Sequence, residues 1–173
     1  MKKVDVFKLT LIFLLINSCN SQKICLTPDM LCENVLDSFV NNDIKSFTNF
    51  YLNEEDMRFG LKGKLIEYSP KEAENIIKQE TYSIKKEIKF AKYRWRKIRK
   101  EIENLGVNWS EIEYISPKYE VINWRWSNFK KADVELCFKY NSSFYVIYLN
   151  NCFKTANGWK LSHAPNFRGV YLE

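Results

Sequence analysis

"ADVELCFKYNSSFYVIYL", residues 132–149, decides the fold. In its first half Ala132, Val134, Leu136, Phe138 and Tyr140 alternate with Asp133, Glu135 and Lys139. A period of two puts the apolar set on one face of a strand and the charges on the other. Asn141-Ser142 then reads as a two-residue hairpin turn. Such a turn sets Tyr140 against Ser143 and, three steps back on each side, Cys137 against Val146. The returning strand, "FYVIYL", is apolar on both faces. That pattern belongs to a central strand covered on both sides, or to one whose second face is kept for a ligand or a second subunit.

The same period extends outward. Tyr119–Trp126, Ala132–Tyr140, Phe144–Phe153 and Trp159–His163 are predicted strands, separated by Ser127-Asn128, Asn141-Ser142 and Ala156-Asn157-Gly158. Ile112–Ile115 adds an edge strand. Before Gly106 the period changes to that of a helix. Ile77, Ile84, Ile88, Ala91, Trp95, Ile98, Ile102 and Leu105 recur at three- and four-residue steps, after the capping box Ser69-Pro70-Lys71-Glu72. This helix runs unbroken from Pro70 or breaks near Thr81-Tyr82-Ser83, where propensity is weaker. A helix laid on a sheet explains the stripe without a coiled-coil partner.

Thr27-Pro28-Asp29 starts an earlier helix, with a capping hydroxyl and then proline where its missing N–H costs nothing. Met30, Leu31, Val35, Leu36 and Phe39 form its apolar face. A short second helix begins near Asp43, with Ile44, Phe47 and Phe50/Tyr51 inward. Asn53 to Gly63 is polar and contains glycine, and is expected to be a loop with a short strand. The class is therefore α+β. N-terminal helices, including one long basic amphipathic helix, pack on an antiparallel β-sheet of four to five strands.

The composition fits one globular domain. The 173 residues are 46% hydrophobic and 16% aromatic, with only 5 Gly and 4 Pro, so disorder and collagen-like repeats are excluded. No apolar run reaches the roughly 18 residues that a spanning helix requires.

The run that does exist, Leu9 to Ile16, has the length of a signal-peptide core. Lys2 and Lys3 precede it, and Asn17-Ser18 separates it from Cys19. Ile16-Asn17-Ser18-Cys19 resembles the lipobox of bacterial lipoproteins, with Asn17 where Ala or Ser is usual. The resemblance implies that residues 1–18 are a signal peptide removed before Cys19. The Cys19 sulfur then carries diacylglycerol, and its new amine a fatty acyl chain such as palmitate. Several acyl chains give durable membrane attachment. The chain is accordingly expected to be exported and anchored to the cell envelope, in the outer membrane on its periplasmic or surface side. Residues 19–26 form a tether and residues 27–173 the domain. An ordinary secretory signal cut nearby is the plainer alternative.

Export places Cys25, Cys32, Cys137 and Cys152 in an oxidising compartment as disulfide candidates. Cys137–Cys152 is disfavoured, because the hairpin register separates them by roughly 20 Å at about 3.3 Å per strand residue. Cys25–Cys32, a bond from the N-terminal segment to the sheet, or unpaired buried thiols all remain open. There is no CxxC and His163 is the only histidine, so neither a metal nor another cofactor is expected.

Helices followed by a meander, with a long helix across it and "NGWKLSH" as a last strand, resemble the cone-shaped fold of the cystatin-like and nuclear-transport-factor-2-like superfamily over residues 27–163. That resemblance implies a pocket between the sheet and the helices, and frequent homodimers through the sheet. Its members include isomerases, dehydratases and non-catalytic binders, so fold alone does not choose a function.

"KKEIKFAKYRWRKIRK", residues 85–100, is the strongest chemical signal. Its single acid is Glu87, and Phe90, Tyr93 and Trp95 are interleaved among Lys and Arg. In a cytosolic protein this would suggest nucleic acid, a partner that export removes. Beside a lipid anchor it suggests anionic lipid headgroups, lipopolysaccharide or an acidic protein, with Arg94, Lys97 and Arg99 as contact residues. A solvated helix face is the plain alternative. Trp124 and Trp126 share one side of a strand and either stack a ligand or belong to the core. His163 ends the last strand and is a candidate general base at a pocket mouth, although no carboxylate partner can be named. The expectation is a membrane-anchored, non-catalytic ligand- or partner-binding domain. A cone-fold enzyme with a pocket near His163, and an inhibitor or docking protein using the basic helix, are the alternatives.

Overall fold

A computed structural model of the protein describes residues 23–124 and 128–172. The lipobox-like residues 16–19, Cys19 included, lie outside the described residues, as does Trp126. Among the described residues four helices come first: α1 (Pro28–Val40), α2 (Ile44–Asn49), α3 (Glu54–Leu65) and α4 (Pro70–Asn104). A 3-10 turn at Trp109–Glu111 leads into β1 (Glu113–Asn123), β2 (Lys130–Tyr140), β3 (Ser143–Thr155), β4 (Gly158–Leu161) and β5 (Asn166–Leu172). All strand pairings in the sheet are antiparallel. The architecture is α+β, a five-stranded antiparallel sheet packed against the helices.

The capping chemistry works as the sequence suggests. Thr27 Oγ1 accepts the Met30 N–H at 3.2 Å, and Asp43 caps α2 through the Lys45 and Ser46 N–H groups. Ser69 and Glu72 form a reciprocal box. α4 is unbroken over 35 residues, about 52 Å at 1.5 Å per residue. The expected loop at Asn53–Gly63 is instead helical. Asn53 and Asp56 make a second capping box that starts α3. The glycine that suggested a loop serves packing, because a Cβ at Gly60 would stand 1.9 Å from the Phe129 ring.

The hairpin register is as expected, with Tyr140 opposite Ser143 and Cys137 opposite Val146. A bulge between Ala132 and Val134 shifts it by one, which brings Cys152 opposite Ala132. Ala132, Val134, Leu136 and Phe138 face the helices and are buried, whereas Tyr140 is half-buried. β3 is central, with β2 on one side and both β4 and β5 on the other. The expected edge strand Ile112–Ile115 is continuous with β1 through a bulge between Ile115 and Lys118. The strand expected at Trp159–His163 ends at Leu161, and β5 is an additional strand.

Stacked rings join the two layers. Trp95 stacks on Phe39 at 5.0 Å, Phe39 on Trp109 at 5.6 Å, Trp109 tilts on Phe138 at 5.6 Å, and Phe138 stacks on Tyr145 at 5.1 Å. Each such pair adds about 0.5–1.5 kcal/mol beyond its burial. A satellite cluster of Leu52, Met57, Ile77 and Phe129 holds the α3–α4 hairpin against the other end of the sheet. The β4 edge is covered where Leu52 and Phe50 exchange backbone hydrogen bonds with Leu161. Cys25 lies in the main core and its carbonyl accepts the Trp159 N–H at 2.6 Å.

Candidate functional site

The helical period assigns the basic residues of α4 to different tasks. Ile77, Ala91, Trp95, Ile98 and Ile102 point into the core. Arg94 and Arg99 stand at the margin of that face and are used internally. Arg94 donates to the Asn166 side chain. Arg99 donates to the Phe39 carbonyl, pairs with Glu103 at 3.0 Å and lies over the Trp109 ring at 5.3 Å. Of the three residues expected to make a docking surface, only Lys97 is exposed.

The solvent face is nonetheless strongly cationic. Lys85, Lys86, Lys89, Arg96, Lys97 and Lys100 are all exposed, and among the described residues none of them forms an ion pair. They span roughly 22 Å of helix at 1.5 Å per residue. Phe90 and Tyr93 lie between them and Tyr82 just before them, all three more than half exposed. Phe90 and Tyr93 stack at 6.4 Å, and the Lys86 ammonium sits 4.6 Å over the Tyr82 ring. Glu87, the acid within the run, is turned inward, where it accepts the Ala164 backbone N–H at 2.7 Å. The face therefore combines uncompensated positive charge with flat apolar groups, the composition of a surface that meets anionic partners.

His163 follows the end of β4. Its ring is exposed, and Nδ1 contacts Ser162 Oγ at 2.7 Å and Asn151 Nδ2 at 3.3 Å. Its carbonyl accepts the Tyr51 hydroxyl at 3.0 Å. No carboxylate is hydrogen-bonded to the ring among the described residues. Asp133, on the outer face of β2, accepts the Asn151 N–H at 2.8 Å and pairs with Lys131 at 3.6 Å. Trp124 is neither core nor a free platform. It is 39% exposed, its ring meets Phe153 at 5.8 Å, and Lys131 lies over it at 5.1 Å.

Cys25, Cys32, Cys137 and Cys152 are free and buried. Cys152 faces the helices, whereas Cys137 faces the other side of the sheet. Burial pushes the Cys32 and Cys152 thiols well above the ordinary thiol range, with neighbouring thiols raising Cys32 further. Among the described residues no group of His, Cys, Asp or Glu is arranged to hold a metal ion.

On the outer face of the sheet lies an open groove of about 530 Å³, which sequence reasoning saw only as the second apolar face of "FYVIYL". Phe144, Val146, Ile115 and Tyr171 give it an apolar lining, and Lys118 and Glu135 stand across from each other within it. His163 is not part of it. Burial raises the thiol of Cys137, which lines the groove. Compared with known proteins, the chain matches no family model, no curated protein and no solved structure.

Proposed function

We propose that the protein is an exported lipoprotein, held to the cell envelope by lipid on Cys19, whose α+β domain is a non-catalytic docking module for an acidic protein surface. The observation that carries this reading is the solvent face of α4, where Lys85, Lys86, Lys89, Arg96, Lys97 and Lys100 lack ion-pair partners among the described residues, with Phe90 and Tyr93 exposed between them and Tyr82 just before them. Isolated surface charges are common, but a face of one sign focuses a field and accelerates encounter with an opposite one. Aromatic residues are enriched at interface centres, where they add apolar contact area. The helices-then-meander order keeps the cone-like resemblance as the fold reading. The surroundings of His163 favour binding over catalysis.

The test uses a poly-glutamate peptide as the acidic probe. Binding is expected to weaken as salt screens the charges over about 8–10 Å. Lys89→Glu/Arg96→Glu/Lys97→Glu is expected to weaken it by about tenfold or more while the domain stays folded. Equal binding by that variant overturns the reading. So does a result in which phosphatidylglycerol vesicles, but not poly-glutamate, bind through these residues, because the partner is then a lipid surface.

A further inference from the structure

One end of the sheet carries a second surface, distinct from the basic half of α4. Asn123 pairs with Lys130, Lys130 with Lys154, and Lys154 with Trp159, which makes one continuous cross-strand row. Trp159 in turn donates to the Cys25 carbonyl. Gly158, with φ +96°, leaves no room for a side chain there, since a Cβ would stand 2.6 Å from that carbonyl oxygen. The start of the described chain is therefore pinned to the same row as the β1–β2 connection. Six chain steps lead from Cys19 to Cys25, which limits the span to roughly 21 Å at about 3.5 Å per step. A lipid on Cys19 lies within that distance of this end of the domain.

The side chains at this end match that neighbour. Trp124 follows Asn123, and its N–H donates to the Phe129 carbonyl at 3.0 Å. The Phe129 ring meets Phe59 of α3 at 6.4 Å. Further along α3 and in the turn to α4, Ile66 is 81% exposed and Tyr68 39%. Ile77 packs in the satellite cluster, so the turn before Pro70 overhangs it by roughly 10 Å along the helix axis. Exposed apolar residues scattered singly need no explanation, but Phe59, Ile66, Tyr68 and Trp124 are gathered at one end. Lys130 and Lys154 stand directly opposite each other, an arrangement of like charges that costs stability unless an anion meets it. Lys62 and Lys64 are exposed on the same hairpin. Aromatic residues beside lysines form the usual belt at a membrane–water interface.

We propose that this end of the domain is a lipid-facing surface: Phe59, Ile66, Tyr68 and Trp124 settle among the headgroups of a bilayer, and Lys130 and Lys154 meet anionic headgroups. Its orientation rests on the lipid-anchor reading above, while its chemistry stands on the residues themselves. The consequence for docking is geometric. α4 starts at this end and finishes beside Trp109 and Phe138 near the opposite β2–β3 turn, so its basic half points away from the membrane, toward a partner in the aqueous compartment.

The experiment places the full lipidated chain in vesicles of phosphatidylcholine and phosphatidylglycerol, with and without lipids brominated on the acyl chain near the headgroup. Subtracting the emission of Trp124→Phe from that of the native protein isolates Trp124. The expected result is quenching of the Trp124 contribution by the brominated lipid and its loss in Phe59→Asp/Ile66→Asp, whose changes are at exposed positions and whose fold is checked by circular dichroism. A chain that floats with the vesicles while Trp124 stays unquenched overturns the lipid-facing surface alone. A chain that does not float overturns the anchor, and the orientation with it.

Discussion

Glu87, within the most basic stretch of the chain, accepts the backbone N–H of Ala164 at 2.7 Å. That bond fastens α4 to the connection between β4 and β5 and turns the one acid of residues 85–100 away from the solvent face. Glu87→Ala removes the acceptor from a buried residue and is expected to cost about 2 kcal/mol; Glu87→Gln keeps an uncharged acceptor and is expected to cost about half as much. Urea denaturation checks both, with the slope unchanged.

Arg99 and Lys97 separate packing from docking. Arg99 holds the Phe39 carbonyl and covers Trp109, whereas Lys97 is exposed. Arg99→Ala is expected to lower stability by about 1–2 kcal/mol, and Lys97→Ala by less than about 0.5. Poly-glutamate affinity is expected to fall for Lys97→Ala. Thermal melts set beside binding isotherms show whether the two effects divide this way.

Two glycines in one helix are expected to respond in opposite directions. Gly60 lies against the Phe129 ring, and Gly60→Ala is expected to destabilise by about 1–3 kcal/mol through overpacking. Around Gly63 the nearest atom to an added Cβ is the Asn128 side chain at 3.8 Å. Gly63→Ala therefore gains helix propensity, with an expected stabilisation of about 0.5–1 kcal/mol. Calorimetry of the two variants distinguishes them by sign.

Alkaline pH is expected to destabilise the reduced protein. Cys32 and Cys152 are fully buried, and desolvation holds both thiols protonated well above the range in which they ionise when unfolded. Above about pH 8.5 the unfolded chain thus binds fewer protons than the folded one, and stability falls by about 1.4 kcal/mol per pH unit for each thiol. Lys160 acts in the other direction, because burial pulls its ammonium below the ordinary lysine range. Between its folded and unfolded values its contribution rises with pH and offsets part of the loss. The urea midpoint is expected to fall across this range and to fall less steeply in Cys152→Ala. A flat midpoint contradicts the assignment.

Local signals in the sequence carried the elements whose causes are local. The caps at Thr27, Asp43 and Ser69, the Asn141-Ser142 turn and the alternation in β2 act within a few residues. What was missed depends on distant partners. α3 contains Gly60 and Gly63 and reads as a loop until Phe129, from far along the chain, is seen to need the space above Gly60. β5 is broken in pattern by Arg168 and Gly169, and exists because β3 offers it an open edge. The basic helix was legible as composition. Which of its cations stay free was not, because Arg94 is taken by Asn166, 72 residues away, and Arg99 by Phe39, 60 residues away.

A tethered docking domain requires its tether, and the intact mass of the protein extracted from the membranes of its own cells tests that most directly. The expected species is a polypeptide that begins at Cys19 and is heavier than its sequence by a diacylglycerol and a further acyl chain. A species that retains Met1 and carries no lipid would contradict it.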